Sequence, residues 1–257
     1  MTNALVGKSQ GEKIWTNGEM SAIAAAILCL VGDNKKRPEC QNLANVYWFN
    51  AEKCKQIAGK TPMLEYVKKL PQARPAKALL SISDVAPSRP RGSFYASALT
   101  TLRLFTAKSL CGITNQSDFS FAGVGERKQA LFIILPNEKT TFYPVASLIV
   151  SQRYELLANM ADRRGGRLKQ RTNFMLDEFG NFTAIADFTN KLTAGGGRGM
   201  RFNLFLQSFA QLKDKYDENA ADAIKSNCRT RFCLQTDDME TLKEISEKLG
   251  AYTASSC

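Results

Sequence analysis

The spacing of hydrophobic positions changes once along this chain, near Asp118. From Ile14 to that point apolar residues recur at helical intervals, with no convincing alternation of two. Met20–Leu30 is an Ala/Ile/Leu-rich helix stopped by Gly32. Pro38 opens a second helix over 39–57, with Leu43, Val46, Tyr47 and Phe49 near one face. Thr61-Pro62 caps a third over 63–70, and further helices are predicted over 76–85 and 93–110. Pro71, Pro75, Pro87 and Pro90 separate these elements, and Met1–Lys13 reads as a polar lead-in loop.

Beyond Asp118 short apolar runs alternate with amphipathic stretches. Ala130–Leu135 is predicted to be a buried strand ended by Pro136. Pro144–Ala161 is an amphipathic helix, and 162–171 a basic glycine-containing turn. Asn173–Leu176 reads as a strand buried on both faces, followed by a helix over 184–192. Next come a strand over Arg201–Ser208, a helix over 209–224, a strand over 230–235 and a helix over 238–249 capped by Asp237-Asp238. Such alternation predicts right-handed crossovers and a parallel sheet. The expected fold class is α/β, a partial parallel sheet with flanking helices over 119–257, preceded by an all-helical domain over 1–118.

The chemistry suggested by this pattern sits at strand ends. Asp177 and Glu178 directly follow the apolar run Asn173–Leu176, and Gln207 ends the next strand. Open α/β sheets bind ligands at the carboxyl ends of their strands. Adjacent carboxylates there suit a nucleotide hydrolase: Asp177 would hold Mg²⁺ through its water shell and Glu178 would orient the attacking water. Gln207 is either a sensor of the terminal phosphate or an amide that satisfies backbone groups. Gly195-Gly196-Gly197 reads as a flexible turn. A phosphate cradle is the missing part. Gly7-Lys8-Ser9 invites comparison with one, but Thr2 stands where the leading glycine belongs and no strand fits ahead of it.

Charge and cysteine usage narrow the partners. The chain carries 35 Lys+Arg against 24 Asp+Glu, a net charge of +11. The excess lies in residues 1–118, with 16 basic against 8 acidic residues, compared with 19 against 16 afterwards. That favours an anionic partner such as nucleic acid or an acidic membrane surface. Lys68, Lys69, Arg74, Lys77, Arg89 and Arg91 flank the proline-marked loops and are the candidate phosphate contacts. Seven cysteines without a C-x-x-C pair and without any histidine argue against structural zinc, and point to reduced thiols. The longest apolar stretch, Ala22–Val31, is short for a bilayer span and reads as a core helix.

The motifs LDEFGNF, GGGRGMRFNLFLQSFAQL, SNCRTRF and TDDMETLKEISEKLG occur in that order. Together they resemble the C-terminal part of the coupling ATPases of type IV secretion and conjugation, closely from about Ser117 and more weakly before it. The resemblance implies a RecA-like motor with ATP and Mg²⁺ as cofactors, assembled as a homo-hexamer on the cytoplasmic face. It also implies DNA and relaxase substrates, secretion-channel partners, and a membrane anchor and Walker A portion lying outside this chain. None of these cofactors is then expected on this chain alone, which should lack ATPase activity. The helical domain corresponds to the family's substrate-meeting insertion. Asp177 and Glu178 match its Walker B pair and Gln207 its sensor. Arg198, Arg201, Arg229 and Arg231 are the candidates to reach a neighbouring subunit's nucleotide. Many members carry an arginine where this chain has Gly196, which leaves Arg198 as the substitute finger. Two other classes compete: a stand-alone binding module on a degenerate scaffold, and a DNA-pumping ATPase of the chromosome-segregation type.

Overall fold

The computed structural model describes residues 2–6, 13–57, 60–115, 123–136 and 140–250. Gly7-Lys8-Ser9 lies outside them. The chain forms two compact units, residues 1–120 and 121–257.

The first unit is helical: α1 (Thr2–Val6), α2 (Lys13–Asp33), α3 (Leu43–Lys53), α4 (Pro62–Lys68), α5 (Pro75–Leu79), α6 (Ser81–Val85), α7 (Ser88–Leu102) and α8 (Lys108–Thr114). Thr2–Val6 is therefore helix where a loop was expected. The helix expected over 39–57 starts later, because the Asn42 side chain accepts the Asn45 N–H and caps α3. Pro90 lies within the first turn of α7, where its missing N–H costs no hydrogen bond, so it does not separate elements. The unit is built around α2. Ala22, Ile23, Ala25 and Ala26 are fully buried, and Gly18 lies against the buried Phe94 ring of α7. Ile14–Asp33 is long and apolar enough to cross a membrane by length and composition, a longer stretch than the sequence reading allowed. Its burial against α3, α5 and α7 is that of a core helix.

The second unit contains α9 (Gly123–Glu126), α10 (Tyr143–Asp162), β1 (Thr172–Leu176), α11 (Phe188–Arg198), β2 (Met200–Leu204), α12 (Ala210–Lys215), α13 (Glu218–Asn227) and α14 (Met239–Leu249). β1 and β2 pair in parallel, Thr172 opposite Met200 through Leu176 opposite Leu204. The register places Phe174 opposite Phe202, and their rings stack 4.6 Å apart. Phe188 from α11 meets Phe202 edge-on at 5.4 Å, while Tyr154 of α10 lies 6.2 Å away. One face of the sheet is thus closed by aromatic packing.

The other face is open. Exposure alternates along β1, and Met175 is 61% exposed, so this strand is not buried on both faces as its run of apolar residues predicted. Residues 130–135 and 230–235 form no strand either. Phe132 and Ile134 are 85% and 91% exposed, and Leu234 is 99% exposed. A strand exists only where its backbone finds a ladder partner. Among the described residues, neither run has one.

Two further boundaries moved. Gly195-Gly196-Gly197 is not a turn but the last turn of α11, which ends at Gly199 in the left-handed region (φ 86°). Gly195 is buried beneath the rings of Phe202 and Tyr154, where α11 packs on the sheet. Asp217 splits the helix expected over 209–224, because its side chain accepts the Ala220 N–H and starts α13.

A charged cluster fastens α14 to α13. Glu244 accepts Lys225 Nζ at 2.7 Å and Lys248 Nζ at 2.7 Å, with Arg231 at 3.4 Å. Partial burial works to raise the Glu244 carboxyl. The lysine hydrogen bonds and charges outweigh it and hold the group at about 2, against 4.5 ordinarily. A depressed carboxylate stabilises the fold above its unfolded value and loses that contribution as pH falls from 4.5 towards 2. Glu244→Gln should therefore lower the urea midpoint at pH 7, with the gap from the parent shrinking by pH 3.

Candidate functional site

Both strands end level, and the chain turns directly after them. Phe205 N–H donates to Leu176 O at 3.1 Å and Phe179 N–H donates to Phe205 O at 2.9 Å. The ladder therefore steps over Asp177 and Glu178, leaving both exposed at the sheet's carboxyl end. Glu178 takes left-handed backbone angles (φ 48°, ψ 42°), uncommon for a residue with a Cβ and frequent at functional sites. Its N–H donates to Asp177 Oδ1 at 3.1 Å, and its carbonyl accepts Asn181 N–H at 2.8 Å, making a tight turn.

This turn faces the end of β2 across a cleft of about 220 Å³ lined by Asp177, Glu178, Asn181, Phe205, Leu206, Gln207 and Gln211. Three residues singled out from sequence thus meet in one place. Gln207 lies three residues past the end of β2, with its backbone held on both sides. Its N–H donates to Gln211 Oε1 at 3.0 Å and its carbonyl accepts Thr236 Oγ1 at 3.1 Å. Among the described residues, the Gln207 side chain makes no hydrogen bond of its own.

Sequence reasoning missed Tyr143, Asn181 and Gln211. Tyr143, the first residue of α10 and only 3% exposed, donates its hydroxyl to Glu178 Oε2 at 3.0 Å. Asn181 Nδ2 donates to the same oxygen at 3.0 Å. Burial raises the Tyr143 phenol above its ordinary value, with the bond from Asn181 opposing and the Glu178 carboxylate adding. The phenol is therefore a proton donor at neutral pH. The spacing in DEFGN could have signalled Asn181; nothing local announced Tyr143.

The arginines do not join this cleft. Arg198 and Arg201 flank the amino end of β2, about 13–16 Å away along a five-residue strand. Arg198 pairs with Asp162 at 3.1 Å, which raises its guanidinium through that hydrogen bond. Arg231 bonds Lys225 O at 2.6 Å and lies over the Phe209 ring. Arg229 is exposed. None of the four lines the cleft of its own chain.

The helical unit spends several of its candidate cations on structure. Arg74 packs against Gly32, Lys77 donates to the carbonyls of Lys68 and Leu70, and Arg91 donates to Ala86 O at 2.7 Å. Lys68 pairs with Asp84 at 3.3 Å, whereas Arg89 is exposed. Lys69 borders a concavity of about 500 Å³ with Lys53, Ile57, Lys60, Pro62, Glu65 and Tyr66. Lys53 lies over the Tyr66 ring at 5.6 Å, and neither Lys60 nor Lys69 has an ion-pair partner among the described residues. Lys53 and Lys60 were not anticipated, because they converge only through folding.

An acid pair and an amide at the ends of neighbouring parallel strands set the frame for comparison with known proteins. The profile of the type IV secretory system conjugative DNA transfer family matches residues 1–256. The chain belongs to that family. It is 27% identical to the conjugal transfer protein TraG of Escherichia coli over 175 residues, 65% of this chain and 28% of that protein. It is 26% identical to the protein VirD4 of Rhizobium rhizogenes over 153 residues, 59% of this chain and 22% of that one. Its fold is that of the plasmid coupling protein TrwB in complex with the non-hydrolysable ATP analogue ADPNP, with a TM-score of 0.68 at 16% identity, covering 96% of this chain and 56% of TrwB. The α/β class expected from the alternation of elements is thus the class found. The chain spans about a quarter of its curated relatives and about half of the solved structure.

The site's donor set fits Mg²⁺ of the kind that keeps most of its waters. Asp177 offers one carboxylate oxygen not engaged by the Glu178 N–H. Among the described residues, no cluster of three or more acids, cysteines or histidines could cage an ion.

Proposed function

We propose that this chain is the substrate-meeting and catalytic-acid segment of a conjugative coupling motor. In the complete protein, Asp177 helps hold Mg²⁺ on ATP, Glu178 orients and deprotonates the attacking water, and Gln207 reports the terminal phosphate to β2. The observation that carries this is the convergence of Asp177, Glu178 and Gln207 on one cleft at the carboxyl ends of two parallel strands. A homo-hexamer at the cytoplasmic face of the membrane would let Arg198, Arg201, Arg229 or Arg231 approach a neighbour's nucleotide. Secretion-channel components would receive the DNA and relaxase cargo.

The helical unit makes the cargo contact, through the Lys53, Lys60 and Lys69 concavity and Arg89. Purified chain should bind DNA without sequence preference, and affinity should fall as salt rises. Lys53→Glu, Lys60→Glu and Lys69→Glu together should weaken binding at least about tenfold at low salt and flatten the salt slope. Fluorescence anisotropy at two salt concentrations measures both; absence of binding at low salt removes DNA from the direct partners. The catalytic half of the reading fails if a complete coupling protein carrying this segment turns over ATP unchanged after Glu178→Gln.

A further inference from the structure

We infer that Tyr143 and Asn181 are positioning residues for Glu178. They occupy one of its carboxylate oxygens so that the other is the only one able to take a proton from water. The inference rests on the proposed hydrolytic role of Glu178 and assigns how that residue is held.

Four observations converge on it. Tyr143 and Asn181 both donate to Oε2 at 3.0 Å, while Oε1 has no partner among the described residues. Two donors match the two lone pairs of one carboxylate oxygen and leave its twin open to water. Neither donor is free to wander. Tyr143 is buried with its ring edge-on to Phe182 at 5.7 Å, and Asn181 is pinned by its N–H to the Glu178 carbonyl. The Ser147 hydroxyl, one turn along α10, donates to Thr183 O at 2.8 Å, tying the helix to the loop beyond the acid turn. The left-handed backbone of Glu178 accompanies a side chain that reaches Tyr143 at the start of α10. A flexible glutamate becomes a carboxylate of fixed orientation, and fixed geometry is what raises the effective concentration of a catalytic group.

The transfer is balanced: water attacks phosphorus, its proton passes to Oε1, and the leaving diphosphate oxygen departs with the bonding pair. Tyr143 and Asn181 keep their protons throughout. Their contribution is to kcat, because the orientation of the base matters to the transition state and little to nucleotide binding.

The experiment has two arms. In the purified chain, tyrosine labelled with ¹³C at Cζ is expected to show the Tyr143 resonance moving on Glu178→Ala and not on Asp177→Asn. An unmoved resonance on Glu178→Ala means the contact does not form and overturns the inference. In a complete coupling protein carrying this segment, Tyr143→Phe, which keeps the packing on Phe182, should lower kcat about tenfold with KM unchanged; Asn181→Ala should do the same. Unchanged or increased kcat in Tyr143→Phe overturns the inference, since an increase would make the two donors a restraint. If Glu178→Gln leaves turnover intact while the NMR arm succeeds, the hydrolytic reading fails and the contact stands. If Glu178→Gln abolishes turnover and Tyr143→Phe does nothing, the reading survives and the positioning role falls.

Discussion

In a complete coupling protein carrying this segment, Glu178→Gln is expected to slow ATP turnover by about 10²- to 10⁴-fold, the range spanned by removing a positioned general base. The amide matches the carboxylate in volume and can still accept from Tyr143 and Asn181, so the turn after β1 should persist. What it loses is the capacity to take a proton. Nucleotide affinity should change little, because the interaction lost is one made in the transition state. Asp177→Asn should behave differently, raising the Mg²⁺ concentration needed for half-maximal rate, since its carboxylate is the proposed metal contact. Single-turnover kinetics against Mg²⁺ and ATP separate the two patterns. Loss of nucleotide binding in Glu178→Gln, with the chemical step unchanged, would reverse the assignments of the two acids.

The part of this site that was legible in the sequence is local in origin. An apolar run ending in two acids marks a strand end, and the next apolar run with a terminal glutamine marks its neighbour. Parallel pairing then brings Asp177, Glu178 and Gln207 to the same edge without further information. The α14 cap at Asp238 was legible for the same reason, the Thr241 N–H reaching back to its side chain at 2.8 Å. Tyr143 lies 35 residues from Glu178, and only the packing of α10 on the sheet joins them. Glycine misled because Gly195-Gly196-Gly197 has the composition of a turn, whereas α11 runs through it to Arg198 with Gly195 packed on Phe202 and Tyr154.

Residues 130–135 and 230–235 misled in a more instructive way. Their side chains have the composition of buried strands, and Phe132, Ile134, Phe232 and Leu234 are among the most exposed large apolar residues of the chain. Periodicity records what a segment is suited to bury. It does not say whether a ladder partner is present. The open face of β1 at Met175 and these two runs are part of the apolar surface that the helices of the second unit leave uncovered.

Gly180→Val should destabilise the second unit by about 1–3 kcal/mol, the usual cost of forcing carbon into a filled position. A Cβ at Gly180 would lie 2.3 Å from Gln211 Oε1, 2.4 Å from its Cδ and 2.8 Å from its Cβ. Rotation of the Gln211 amide could relieve the first two contacts, but Cβ is fixed to α12 and cannot swing away. Gln211 is also the acceptor for the Gln207 N–H, so displacing it leaves that donor without its partner at the mouth of the cleft. The acid turn and the end of β2 are therefore held in register by one side chain filling a space that only glycine leaves open. Gln211→Ala in the Gly180→Val background should recover part of the lost stability, since it removes Oε1 and Cδ while Cβ remains. The two substitutions should consequently be non-additive in a urea-denaturation double-mutant cycle. Strict additivity would mean that Gly180 and Gln211 do not press on one another, and that Gln207 is placed by Thr236 alone.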